Sequence, residues 1–170
     1  MIYNNITFKV LILIYLISIN SCGIYSFSGA SIPENTATIS VKYMTNRASL
    51  IEPNLSNLVT EKLIDKCQTE TNLNLIESNG DIAFSGEIID YKIQPISIQN
   101  NETAAQNRLT ISVEIIYFNK MDETENFKQK FSDFADFDSG ENFSDIEIEL
   151  NEIIINNLVE DIFNQAFSRW

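Results

Sequence analysis

The residues of this chain that could do chemistry are few, and their types narrow the field quickly. Histidine is absent from all 170 positions, which removes the usual general base near neutral pH and the commonest metal ligand. Cysteine occurs twice, at Cys22 and Cys67. The densest carboxylate group, Asp133, Asp136, Asp138 and Glu141, offers the hard oxygens that calcium takes. Its spacing matches no calcium loop, no glycine stands at the required turn, and it reads as a solvated strand end. With five glycines in the whole chain, there is no phosphate-cradling loop, nucleophile elbow, paired-cysteine motif or zinc pattern. No metal, no cofactor and no enzymatic reaction are expected.

Charge is the remaining source of chemistry. Twenty-four acidic residues face 11 basic ones, a formal net charge of −13. Nucleic-acid binding depends on Lys and Arg displacing counterions from phosphates, so that partner class is excluded. Contact with an anionic lipid head group would need a local basic patch. Lys92, Arg108, Lys128 and Lys130 lie in long β-type segments, where alternation gathers some of them on one sheet face. Ordinary surface charge is the simpler reading of them.

Cys22 carries the strongest chemical signal. Residues 1–21 start polar with one cation, Lys9, continue as an apolar run from Val10 to Ile19, and end on Asn20 and Ser21. Spanning a bilayer takes roughly 20 apolar residues, so this shorter run reads as a signal-peptide core. Ile19-Asn20-Ser21-Cys22-Gly23 then looks like a lipobox, with Asn20 less usual than a small residue at its place. Acylation at Cys22 would anchor the chain firmly, since several acyl chains exceed the two signals that stable anchoring requires. It also takes Cys22 out of any pairing with Cys67; the competing reading is a simply secreted chain with Cys22 buried or paired. Gly23, where an Asp would signal retention, points onward to the outer membrane, periplasmic side. The expected organisation is a signal peptide over 1–21, a lipidated tether over 22–36 and one domain over 37–170. Hydrophobic residues at 44% and aromatics at 11% are ample for a folded core.

Within that domain, alternation predicts a strand over Ala37–Met44, with Ile39, Val41 and Tyr43 inward. Leu55, Leu58, Val59, Leu63 and Cys67 recur at helical spacing after Pro53, giving a helix to about Thr69 with Cys67 on its inner face. From Asp81 to Ile98 a long β-type segment changes phase near Ile88-Ile89, which a β-bulge would explain, with Gly86 close by. A polar turn at Gln99–Glu102 leads to a strand through Leu109, Ile111, Val113, Ile115 and Tyr117. A further strand carries Phe127, Phe131, Ala135 and Phe137, with Lys128 and Lys130 on its other face. Ser144 and Glu147 suggest a capping box opening a long C-terminal helix. Its apolar stripe is Ile146, Leu150, Ile153, Ile154, Leu158, Ile162, Ala166 and Phe167. Ile148 and Ile155 fall outside the stripe and widen it, which asks for either a second core contact or a partner. The expected fold is α+β, β-α-β-β-β-α: a four-stranded, mainly antiparallel sheet with two helices on one face, and the other face and the hairpin tip left open.

Three stretches together are similar to one family. They are Cys22-Gly23-Ile24-Tyr25-Ser26-Phe27-Ser28-Gly29, Thr103-Ala104-Ala105-Gln106-Asn107-Arg108-Leu109-Thr110, and the ending from Leu158 through Phe163 and Phe167 to Trp170. The chain resembles the LptE family of lipopolysaccharide-assembly lipoproteins over its whole mature length. The resemblance implies a plug inside the large LptD β-barrel that helps the barrel assemble and assists delivery of lipopolysaccharide to the outer leaflet. It also makes Asn101, Gln106, Asn107 and Arg108 candidate contacts for the barrel or for lipopolysaccharide. A different envelope-assembly or binding lipoprotein, such as a pilot-like factor, is the alternative that the residues leave open.

Overall fold

A computed structural model describes residue 32 and residues 35–50, 52–96 and 106–167. The signal segment, Cys22, most of the tether, and the hairpin turn with Asn101 lie outside the described residues.

The first strand, β1, spans Thr38–Val41. Its start is fixed by Asp81, whose carboxylate accepts hydrogen bonds from the Ala37 and Thr38 amides at 3.1 Å each and from the Thr38 hydroxyl at 2.7 Å. The chain then leaves the ladder for three residues and rejoins it as β2, Thr45–Asn46. That break shifts the alternation by one. Met44 is buried while Tyr43, expected inside, is 57% exposed. The Met44 amide is satisfied by the Thr60 hydroxyl at 3.1 Å.

Helix α1, Leu55–Glu70, buries Leu55, Val59, Leu63 and Cys67, and also Ser56 and Thr60. The two hydroxyl residues are tolerated there because their polar atoms are used: Thr60 Oγ1 donates to the Ser56 carbonyl at 2.6 Å while accepting from Met44. At the other end the Thr71 hydroxyl closes the helix on the Cys67 carbonyl at 2.6 Å. The chain returns as β3, Asn74–Leu75, parallel to β1.

Two long strands follow, β4 at Ile82–Ile96 and β5 at Gln106–Asn119, and then β6 at Phe127–Asp138. Strand β4 pairs in parallel with β1 and β2 and antiparallel with β5, which pairs antiparallel with β6. The order is β3-β1-β4-β5-β6 with β2 beside β4, one mixed sheet of six strands. This corrects the expected four-stranded, mainly antiparallel sheet. Strands of two residues are too short to leave an alternation, and the parallel pairs arise because α1 carries the chain back before it re-enters the sheet.

The phase change in β4 is a β-bulge: Ile88 is opposite Val113 and Asp90 opposite Ser112, leaving Ile89 without a partner. Consequently Ile82, Phe84, Ile88 and Tyr91 all face the same core. Gly86 is needed nearby for a different reason. A Cβ there would stand 2.3 Å from the Glu114 carbonyl oxygen and 3.2 Å from Met44 Sδ, so any side chain would push β4 off β5.

Helix α2, Phe143–Phe167, covers the rest of this face. Its inward residues are Leu150, Ile154, Ile155, Leu158, Val159, Ile162, Phe163 and Phe167, with Asn151. Two expectations fail here. Ile153, expected in the apolar stripe, is exposed, whereas Ile155 is fully buried and supplies the second core contact its position asked for, because the helix faces both the sheet and α1. The capping box is also absent: the helix begins one residue before Ser144, and Glu147 accepts from the Tyr91 hydroxyl at 2.7 Å. The two helices run side by side in one direction, with Lys66 on Glu160 at 2.6 Å marking their C-terminal halves. Phe167 meets Phe84 and Tyr117 edge-on at that end, so α2 runs opposite to β4.

Cys67 lies fully buried within this packing, and burial pushes its thiol up to about 12, with the Lys66 charge opposing. A thiol-reactive maleimide at pH 8 should therefore leave the native protein unlabelled and modify Cys67 on denaturation; labelling at the rate of a free thiol would contradict this placement. Because the folded value lies above the ordinary 9.0, the thiol's contribution to stability is complete below that value. It is lost as pH rises from there towards about 12.

Candidate functional site

Both helices cover one face of the sheet, so the even-numbered positions of β5 and β6 lie on the face without a helix. Cross-strand register places Lys92 with Thr110, Arg108 with Asp136, Lys128 with Ile116, and Lys130 with Glu114. All four basic residues singled out in the sequence therefore share the open face. Three of them are neutralised there: Lys92 by Asp90 at 3.0 Å, Arg108 by Asp136 at 2.7 Å and Lys128 by Glu114 at 2.7 Å. Glu87 and Glu114 stand directly opposite one another, a repulsive pairing on its own. Arg47 at 2.8 Å from Glu87, and Lys128, relieve it. The face is thus charged but locally balanced, and it fits the ordinary-surface reading better than a basic patch.

The most structured point on this face is Arg108. Its Nε and Nη2 donate to the two Asp136 oxygens at 2.7 and 2.8 Å, and its guanidinium carbon lies 3.5 Å from the Phe134 ring centroid. A planar fork held by a carboxylate and stacked on a ring is an arrangement that lysine could not reproduce. Arg108's hydrogen bonds hold the Asp136 carboxyl below the usual carboxylate range, against a smaller opposing effect of desolvation. Phe134 beneath the guanidinium, and Ile116 and Phe118 towards the far end of β5, keep between 42% and 46% of their surface exposed. Ser112 and Ser132 share a hydrogen bond at 2.9 Å between them. The face mixes paired charges, hydroxyls and single apolar groups.

The candidate contacts do not all meet. Gln106 and Arg108 share the open face, whereas Asn107, one residue between them, projects to the helix side opposite Phe137. Asn101 lies outside the described residues. The carboxylate group is also dispersed by strand alternation. Asp133 faces α2 and accepts from Asn157 at 2.9 Å, Asp136 is bound to Arg108, and Asp138 accepts from the Gly140 amide at 2.7 Å. Among the described residues no three His, Cys, Asp or Glu side chains converge on a metal position, and no helix is long and apolar enough to cross a membrane. Sequence reading missed the roles of Phe134 and Asp136 as the seat of Arg108. The signal lies in the β5–β6 register, which alternation alone does not supply.

A family model described as LptE, lipopolysaccharide-assembly, matches residues 36–169. No curated protein matches the chain. Among solved structures, a minor lipoprotein from Acinetobacter baumannii is similar at 14% identity, covering 76% of this chain and 91% of that one, with a TM-score of 0.50. A Helicobacter pylori protein described as a homolog of neuraminyllactose-binding hemagglutinin is 6% identical, with coverage of 83% and 88% and a TM-score of 0.51. The rare lipoprotein B from Shewanella oneidensis is 15% identical, with coverage of 75% and 91% and a TM-score of 0.45. Likeness at such identity speaks to the fold alone.

The Arg108 seat generates a direct test. In a carbon-detected NMR titration, Asp136 should ionise below its ordinary 3.8, and Arg108→Gln should bring it back up towards that value. A depressed folded value means the pair's stabilisation is complete above the ordinary 3.8 and is lost as pH falls from there through the lower folded value. An Asp136 titration unchanged by Arg108→Gln would contradict the pairing.

Proposed function

This chain belongs to the LptE lipopolysaccharide-assembly family, matched over residues 36–169, and from that membership we propose that it plugs the LptD β-barrel and helps it assemble for lipopolysaccharide delivery to the outer leaflet. The observation that carries this reading is the uncovered face of the sheet. A barrel lumen is polar, and a surface entering it loses water. Isolated charges would make that transfer costly, while charges already matched across strands make it far less so. Lys92 with Asp90, Arg108 with Asp136, and Lys128 with Glu114 meet that requirement. Phe134, Ile116 and Phe118 supply apolar area in small pieces, enough to add contact without making the free domain prone to associate.

In this reading Cys22 is acylated, residues 22–36 are the tether and residues 37–170 the plug, held at the inner leaflet of the outer membrane from the periplasmic side. The hairpin of β4 and β5 enters the lumen tip first. No reaction is required of the chain. Lipopolysaccharide itself enters through Arg108, whose guanidinium would have to exchange Asp136 for a phosphate.

A photo-crosslinking residue at Gln106 or Ile116 should capture LptD, and depletion of the chain should lower both correctly assembled LptD and surface lipopolysaccharide. Crosslinks confined to other proteins, with normal surface lipopolysaccharide after depletion, would refute the assignment in favour of another envelope-assembly lipoprotein. If Arg108→Glu preserves the complex yet slows delivery, Arg108 acts on the lipid; if it dissolves the complex, Arg108 acts in docking.

A further inference from the structure

A second surface lies on the helix layer, away from the open sheet face. Between the N-terminal halves of α1 and α2 is a groove of about 330 Å³. Leu55 and Leu58 form part of its wall, Glu52, Glu61 and Glu152 surround it, and no lysine or arginine lines it. Helix N-termini favour acidic residues through their own dipoles, so the carboxylates alone would mean little. Two further features are not explained that way. Asn151 lines the groove at only 4% exposure, and its Oδ1 makes no hydrogen bond. The neighbouring Tyr91 hydroxyl cannot serve it, because its single hydrogen is committed to Glu147 Oε1 at 2.7 Å. At the rim, Ile148 is 76% exposed, more than any other large hydrophobic side chain among the described residues.

We propose that this groove binds a basic side chain of a partner protein, with an apolar neighbour of that side chain resting on Ile148. An arginine or lysine offers what the groove lacks. Its aliphatic stem suits Leu55 and Leu58, its charge meets Glu52, Glu61 and Glu152, and once the Asn151 side chain turns outward its N–H groups provide the donor that the solvent-closed Oδ1 lacks. Glu52 already accepts from the Asn54 amide at 2.5 Å, which fixes one carboxylate in advance. Neutral ligands would leave the three carboxylates uncompensated, and an apolar one would leave Asn151 Oδ1 unpaired as well. The site is separate from the surface assigned to LptD, so it stands or falls independently of that assignment.

The test uses the full chain, isotope-labelled and purified in detergent, titrated with acetyl-Leu-Arg-Leu-amide, acetyl-Leu-Gln-Leu-amide and spermidine. The arginine peptide should shift backbone resonances of residues 52–61 and 148–152, and the glutamine peptide should bind at least tenfold more weakly. Glu61→Lys combined with Glu152→Lys should weaken the arginine peptide at least tenfold; both positions are exposed, so the core is untouched. Asn151→Leu should do the same without changing the surface charge. Equal binding of the two peptides, shifts centred elsewhere, or full affinity in the double charge variant would overturn the proposal. Spermidine binding as tightly at the same residues would also overturn it, by showing a site for free polycations. If Asn151→Leu fails to fold, the charge variant decides.

Discussion

Strand β4 is paired along both edges, in parallel with β1 and β2 and antiparallel with β5, and its inner face must stay apolar through that change of neighbour. A strand of 15 residues with strict alternation would be constrained by every position in its sequence. Ile89 removes that constraint by standing outside the register. Ile88 and Tyr91 then face the same way, Tyr91 reaches Glu147 on α2, and one continuous wall receives both helices. Gly86 allows the backbone of β5 to come close just before the bulge. Without this pair of features the sheet would turn part of its apolar surface to water and would leave α2 without a seat for its first turns.

Much of this was legible in the residues. The long strands, the helix carrying Cys67 and the bulge follow from periodicity, because each of those segments is long enough to show its period. What was not legible is short or depends on partners. The two-residue strands β2 and β3 carry no period. The slip at Met44 follows from a gap in pairing, and the stripe of α2 is set by two neighbours at once, so Ile153 and Ile155 exchange the roles that a single-faced helix would assign them. Glu147 reads as a cap in the sequence and serves as a partner of Tyr91 in the fold.

The open face of the sheet shows the same division. Alternation was enough to suggest that basic residues gather on one face, and it collects all four. It was not enough to reveal that Asp136, which looks in sequence like part of an acidic cluster, is the carboxylate that holds Arg108. Nor could it show that Phe134 is the ring beneath it. Those facts depend on which residue of β5 stands opposite which residue of β6. Asn107, adjacent to Arg108 in sequence, falls on the other side of the sheet for the same reason. The unpaired oxygen of Asn151 is further still from the sequence, since it depends on where the one hydrogen of Tyr91 is spent.

In the proposed role, a sheet left bare on one side meets a partner that supplies the missing cover. The most direct measurement of that claim is affinity purification of the tagged chain from detergent-solubilised outer membrane, followed by quantitative mass spectrometry. LptD should be recovered in amounts equal to the chain. Recovery of the chain alone, or with an unrelated envelope protein in equal amount and LptD absent, would contradict it.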